Sequence, residues 1–167
     1  MWVKRQARIT GVANVIDWLS IMEPTQAPVL FHLAFPVADI PTTKAFYVEG
    51  LGCTAGREAA NSIILNLYNH QIVAHITDEL IPQKGIYPRH FGLVFLAEGD
   101  FDSLLNRSLE TGLKLFQQPK RRFSGSPLEH RTFFLEDPFC NLLEFKYYSN
   151  PQAIFGEVAH GRVGEAH

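Results

Sequence analysis

The chain has 167 residues, 46% of them hydrophobic and 19% charged, with a formal net charge of −2. That length buries a core in one domain or in two small fused modules, and the composition excludes a fibrous or membrane-spanning chain. No sustained basic stripe is present, the run Lys120-Arg121-Arg122 being too short, so a nucleic-acid partner is excluded as well.

Residues 1–27 read as a flexible extension. The stretch "MWVKRQARITGVANVIDWLSIM" carries basic residues ahead of an apolar run, but Asn14, Asp17 and Ser20 interrupt that run and no small-residue cleavage site follows. Residues 1–21 are then either the product of an early start codon, with Met22 the true beginning, or a short helix that docks on a partner. The core pattern starts with "FHLAFPV" at 31–37, which alternates like a strand. Asp39 followed by "IPTTKAFYVEGLG" supplies an N-cap, a proline in the first turn, a helix and a glycine stop. A strand around "CTAGRE" comes next, then "SIILNLYN" and "HQIVAHIT", two strands meeting at Asn69-His70.

The same order then repeats. "RHFGLVFL" at 89–96 reads as a strand, Asp100 caps a helix through "FDSLLNRSLETG", and "KLFQQPKRR", "HRTFFLE" and "NLLEFKYY" read as three further strands. The expected fold class is therefore α+β: tandem βαβββ modules, their sheets curved around a shared cleft. One domain spans 28–150, with module one at about 29–80 and module two at about 89–149, and the tail 151–167 is small, polar and frayed after Phe155. Cys53 and Cys140 stand alone, without the spacing of a metal knuckle or a disulfide framework, and fit a reducing cytoplasm.

Glu144 lies inside the most apolar of these strands, where a carboxylate needs a counter-charge, hydrogen bonds or a metal ion. Period-two alternation puts Leu142, Glu144 and Lys146 on one face and Leu143, Phe145 and Tyr147 on the other; the second face is the more apolar and belongs against the helix, so Glu144 faces the cleft. His32 and His90 occupy matching places at the start of each module's first strand. Two imidazoles and one carboxylate on three strands make a facial triad that suits a divalent iron with open positions, and His32, His90 and Glu144 are its candidate ligands. A hydrogen-bonded histidine–glutamate pair is the structural alternative.

On these residues the chain resembles the vicinal oxygen chelate superfamily, which includes glyoxalase I, extradiol ring-cleaving dioxygenases and bleomycin-resistance proteins. The resemblance covers about residues 29–149 and rests on "FHLAFPVADIPTTKAFY", "NHQIVAH", "RHFGLVF", "HRTFFLEDP" and "NLLEFK". It implies paired βαβββ modules with a divalent metal on the first and last strands, matching His32, His90 and Glu144, and a homodimer. Glyoxalase I carries a carboxylate on the last strand of module one, where this chain offers Val73 or Ala74; the three remaining ligands resemble those of the extradiol enzymes. The resemblance then implies Fe(II), with Mn, Ni, Co or Zn as other occupants, a small vicinal-diol or catechol-like substrate, dioxygen as second reactant, and an acid–base histidine matched by His75. If Val73 faces the metal, so does His75; the other register turns His70 inward. One departure stands out, since extradiol enzymes place a tyrosine where "RTFFLE" has Phe133 and Phe134. His130, Arg131, Arg121 and Arg122 at neighbouring strand ends are either pocket contacts, His130 with Phe134 foremost, or solvated termini. A glyoxalase-type lyase or isomerase, and a resistance-type module that binds a small molecule without chemistry, are the competing functions. The fold alone does not choose among them.

Overall fold

The computed structural model describes residues 29–161, so the N-terminal extension expected at 1–27 and the last six residues lie outside it. Module one runs β1 (His32–Val37), α1 (Ile40–Lys44), β2 (Thr54–Ala59), β3 (Ser62–Leu67) and β4 (His70–Ile76). Asp39 caps α1 as its sequence position implies, its Oδ1 accepting from the Thr42 amide at 2.7 Å, with Pro41 in the first turn. The helix continues as a wider π-helical segment, Ala45–Gly50. Strands β3 and β4 turn through Tyr68 and Asn69, both left-handed with φ of 49° and 67°, one residue earlier than the expected junction. Two consecutive positive φ angles are what a tight hairpin demands, and asparagine tolerates them.

Module two runs β5 (Phe91–Phe95), α2 (Glu98–Glu110), β6 (Leu115–Arg122), β7 (His130–Glu136) and β8 (Leu142–Tyr148). The second helix begins two residues before the expected cap. Ala97 is the N-cap residue and makes no side-chain cap bond, while Glu98 and Asp100 lie in the first turn, where their charge complements the helix dipole. His90 sits just before β5 rather than within it.

The two modules share one connectivity. Their sheets are ordered β1-β4-β3-β2 and β5-β8-β7-β6, with β1–β4 and β5–β8 parallel and the other pairs antiparallel. One continuous core takes Phe35, Val37, Ile63, Leu65, Ile72 and Ala74 from the first sheet and Phe95, Phe133, Leu135, Leu143 and Phe145 from the second, with helix residues Tyr47, Phe101 and Leu104. Polar contacts join the modules: Tyr47 Oη donates to Asp137 Oδ2 at 2.8 Å, Asn141 Nδ2 donates to the Pro36 carbonyl at 2.8 Å, and Arg107 on α2 donates to the Gly50 carbonyl at 2.8 Å. Asp137, expected as a simple turn residue, is buried and also accepts from the Phe139 and Asn141 amides.

Because the helix-side faces of both sheets feed this core, the opposite faces look away from it. His32, Ala34 and Pro36 lie on one such face; Glu144 lies on the other, beside a second small cluster of Ile86, Phe134 and Leu142. No helix among the described residues is long and apolar enough to cross a membrane.

Candidate metal centre

Strand β8 presents Glu144 as its alternation requires: Leu143 and Phe145 point into the main core, and Glu144, 5% exposed, points the other way. Each carboxylate oxygen is engaged. Oε1 accepts from Thr132 Oγ1 at 2.9 Å, while Oε2 lies 3.0 Å from His90 Nε2 and 3.0 Å from Lys146 Nζ. Burial pushes the Glu144 carboxyl up, but the bonds from His90, Lys146 and Thr132 outweigh it and bring the pKa down to about 2.

His90 is oriented by its other nitrogen. Nδ1 lies 2.7 Å from the Ile86 carbonyl, which can only accept, so Nδ1 carries a proton. Nε2 therefore meets Glu144 Oε2 either as an imidazolium N–H or as a lone pair with a cation shared between the two. The Glu144 carboxylate raises His90 above the ordinary imidazole range, against the opposing effect of burial. Phe134 lies edge-on to the His90 ring at a centroid distance of 5.4 Å, and Tyr87 at 6.0 Å, which closes two sides of the pair with aromatic carbon.

These donors fit a divalent ion. Neighbouring ligands held at about 2.1 Å from one centre are about 3.0–3.4 Å apart, the spacing already present between His90 Nε2 and Glu144 Oε2. The outer-shell acceptor on His90 and the hydroxyl on Glu144 are the supports that such ligands ordinarily have. An ammonium already rests against the oxygen a metal would take, so the position attracts positive charge.

His32 is not brought to this pair. It is exposed on β1, with Nδ1 2.7 Å from Gln71 Oε1, and no three of the histidines, cysteines and acids among the described residues gather into one metal-sized group. The cause is the shared core: β1 and β5 belong to separate sheets whose site-bearing faces both turn away from it. The register of β4 is settled, since Ile72 and Ala74 enter the core and Gln71, Val73 and His75 share the face of His32. His75 is exposed there, whereas His70 accepts from the Phe31 amide and packs edge-on against the Phe31 ring.

Of the strand-end candidates, Arg131 turns to α2, pairing with Glu98 at 2.8 Å and Asp102 at 2.7 Å and stacking over Phe101, and Arg121 pairs with Glu129. His130, by contrast, is 4% exposed on the Glu144 side of the sheet. Three neighbours of the pair escape a search for ligands alone: Thr132 on Glu144 Oε1, Lys146 on Oε2, and Gly92. A Cβ at Gly92 would lie 1.7 Å from the Glu144 carbonyl oxygen, so only glycine lets β5 approach β8 there; a glycine inside an otherwise regular strand is the signal for it.

The model of the Glyoxalase/Bleomycin resistance protein/Dioxygenase superfamily matches residues 29–145. The crystal structure of a glyoxalase/bleomycin resistance protein/dioxygenase from Alicyclobacillus acidocaldarius is 38% identical, with 80% of this chain and 99% of that one covered and a TM-score of 0.74. Virulence protein STM3117 of Salmonella typhimurium is 28% identical over 119 residues, which are 70% of this chain and 82% of that protein. The fosfomycin resistance protein FosX of Listeria monocytogenes, 17% identical with a TM-score of 0.60 over 77% of this chain and 99% of its own, shares the fold. With its duplicated βαβββ modules and a family match across both, the chain belongs to the Glyoxalase/Bleomycin resistance protein/Dioxygenase superfamily.

Proposed function

We propose that the protein is a metal-dependent enzyme that holds one divalent cation on His90 and Glu144 of one chain and His32 of a second copy, and cleaves a small catechol-like or vicinal-diol substrate with dioxygen. The observation that carries this reading is the His90–Glu144 pair: an imidazole nitrogen and a carboxylate oxygen 3.0 Å apart, each side chain fixed from behind by a second hydrogen bond. The second copy follows from the faces. His32 and the pair lie on sheet faces that both turn away from the shared core, and a twofold arrangement of two chains would let each supply what the other lacks, giving two equivalent sites.

A bound divalent ion such as Fe(II) would lower the pKa of a substrate hydroxyl by direct charge stabilisation and leave positions open for a second reactant. The chain's own contribution is positional. Before a metal binds, His90, Lys146 and Thr132 hold Glu144 ionised; Thr132 keeps Oε1 in place, His90 is locked in one ring orientation by the Ile86 carbonyl, and Phe134, Tyr87 and Leu142 pack around that side of the pair. His75, exposed on the His32 face, would take and return a proton from the opposite wall.

Phe134 favours a second reading. It puts carbon where a hydrogen-bonding side chain would steady a catecholate, which suits a lyase or isomerase that only polarises a carbonyl. Oxygen uptake separates the two. Iron-loaded protein offered a panel of catechols and 2-hydroxy ketones consumes one dioxygen per substrate if the first reading holds, and turns over equally well under argon if the second does.

A further inference from the structure

A separate cavity of about 420 Å³ lies on the Glu144 side of the second sheet, between β6–β8 and residues 153–161. Its floor is His130, 4% exposed, with Arg122, 7% exposed, and Lys146 beside it. His130 Nδ1 lies 2.9 Å from the Leu128 carbonyl and so carries a proton, whereas Nε2 is buried and has no hydrogen-bond partner. The ring is held on both sides, by Tyr148 at 4.6 Å and Phe123 at 5.6 Å, so Nε2 cannot turn away. A buried polar atom left unmatched in a cavity is a place made for something absent from the chain.

The charges around it are chiefly positive. Arg122 and Lys146 line the cavity; Glu157 is the acid among its lining residues, and its carboxylate is already engaged by Asn150 Nδ2 at 2.9 Å and by His160 at 3.4 Å. Lys146 belongs to both places. Its ammonium rests on Glu144 Oε2, the same oxygen that faces His90, while its side chain forms part of the cavity wall. A divalent cation on that oxygen would repel the ammonium, and the adjoining cavity is where the side chain can go.

We propose that this cavity is an oxyanion subsite, formed by His130 Nε2, Arg122 and Lys146, and that a divalent cation on Glu144 opens it by displacing Lys146 into it. The ligand class is a small acid, carboxylate or phosphonate, bound through its charged end. The anion binds together with one proton: the proton goes to the Nε2 lone pair of His130, the anion accepts from the Nε2–H so formed, and Nδ1–H keeps its bond to Leu128, so both ring nitrogens are satisfied only in the loaded state. Cation and anion then reinforce one another, and the coupling is reciprocal. The inference rests on the metal reading above for its trigger, but the subsite itself does not.

The test titrates acetate and methylphosphonate into the full-length protein, zinc-loaded and metal-free, by calorimetry and by imidazole nitrogen NMR, for wild type, His130→Phe and Lys146→Met. The proposal expects the His130 Nε2 resonance to move with the anion, and affinity to rise about tenfold on zinc loading of the wild type. It expects His130→Phe to lose about tenfold in anion affinity while zinc affinity holds, and Lys146→Met to bind zinc more tightly while the coupling falls away. The better of the two anions identifies the headgroup. An anion that binds zinc-loaded wild type and both variants alike is sitting on the metal alone, and overturns the subsite. Weaker zinc binding by Lys146→Met overturns the displacement. A protein that takes no divalent ion, yet whose His130 resonance still moves, overturns the coupling and the metal reading while the subsite stands.

Discussion

Replacing Gly92 by alanine tests the architecture of the site more sharply than removing a ligand. Gly92 is opposite Glu144 in the parallel β5–β8 ladder, and a Cβ on it would meet the Glu144 carbonyl oxygen at 1.7 Å, its carbonyl carbon at 2.7 Å and its amide nitrogen at 2.9 Å. All three are backbone atoms, so no side chain can swing aside. The strands must part instead. Gly92 is exposed on its open side, so the clash is with the neighbouring backbone alone; forcing one extra carbon against packed atoms costs about 1–3 kcal/mol, and a ladder hydrogen bond lost in the parting adds about 1 kcal/mol. A total of about 3 kcal/mol corresponds to a fall in Tm of about 6–12 °C for a domain of this size. His90 precedes the displaced strand and Glu144 sits on its partner, so the 3.0 Å pair must open and zinc affinity must fall with stability. Gly99 is the control: it lies in the first turn of α2 with nothing within 4 Å of an added Cβ, and alanine there stabilises by up to about 1 kcal/mol. Differential scanning calorimetry and zinc titration on both variants read the two quantities. A Gly92→Ala protein with wild-type Tm and wild-type zinc affinity would refute the reasoning.

Other consequences are more local. Thr132→Val keeps the shape of a buried side chain but removes the bond to Glu144 Oε1; metal affinity, read by competition with a chelator, should fall about tenfold or more. Tyr47→Phe deprives Asp137 of a buried donor and should cost about 1–2 kcal/mol in urea unfolding, with no change in metal content. Burial holds the His130 imidazole below its ordinary range, assisted by Lys146 and Arg122, so the unfolded chain binds the proton more readily than the native one. Stability is therefore full above pH 6.5 and declines as pH falls from 6.5 through the lower native value; in Tm measurements from pH 8 to 5, His130→Phe should show a shallower decline than wild type.

Much of the fold is legible in the sequence because its signals are local. The repeat of strand, capped helix and three strands follows from Asp39, Pro41, the apolar alternation and the turn residues, and the facing of Glu144 follows from strand parity alone. The start of α2 was less so, since Ala97 makes no capping bond and the acids behind it read equally well as caps or first-turn residues. The site was half legible. His90 and Glu144 meet because β5 and β8 are hydrogen-bonded neighbours, a relation that the repeat implies. The separation of His32 depends on how two modules pack, and that is decided by Phe35, Tyr47, Phe101 and Phe133 entering one core, which no spacing in the sequence encodes. Strand parity puts Lys146 on the face of Glu144, but its hold on the carboxylate depends on a side-chain reach that parity does not give.

The central claim is that one metal site draws on two chains, and mixing two crippled variants tests it most directly. His32→Ala and Glu144→Ala protein, each purified anaerobically and metal-free by elemental analysis, are unfolded together at equal amounts, refolded and reloaded. Random pairing puts half of the chains into mixed dimers, and each mixed dimer regains one intact site, so the account predicts about a quarter of a metal ion per chain in the mixture and none in either variant alone. A mixture that stays as empty as its components would contradict it.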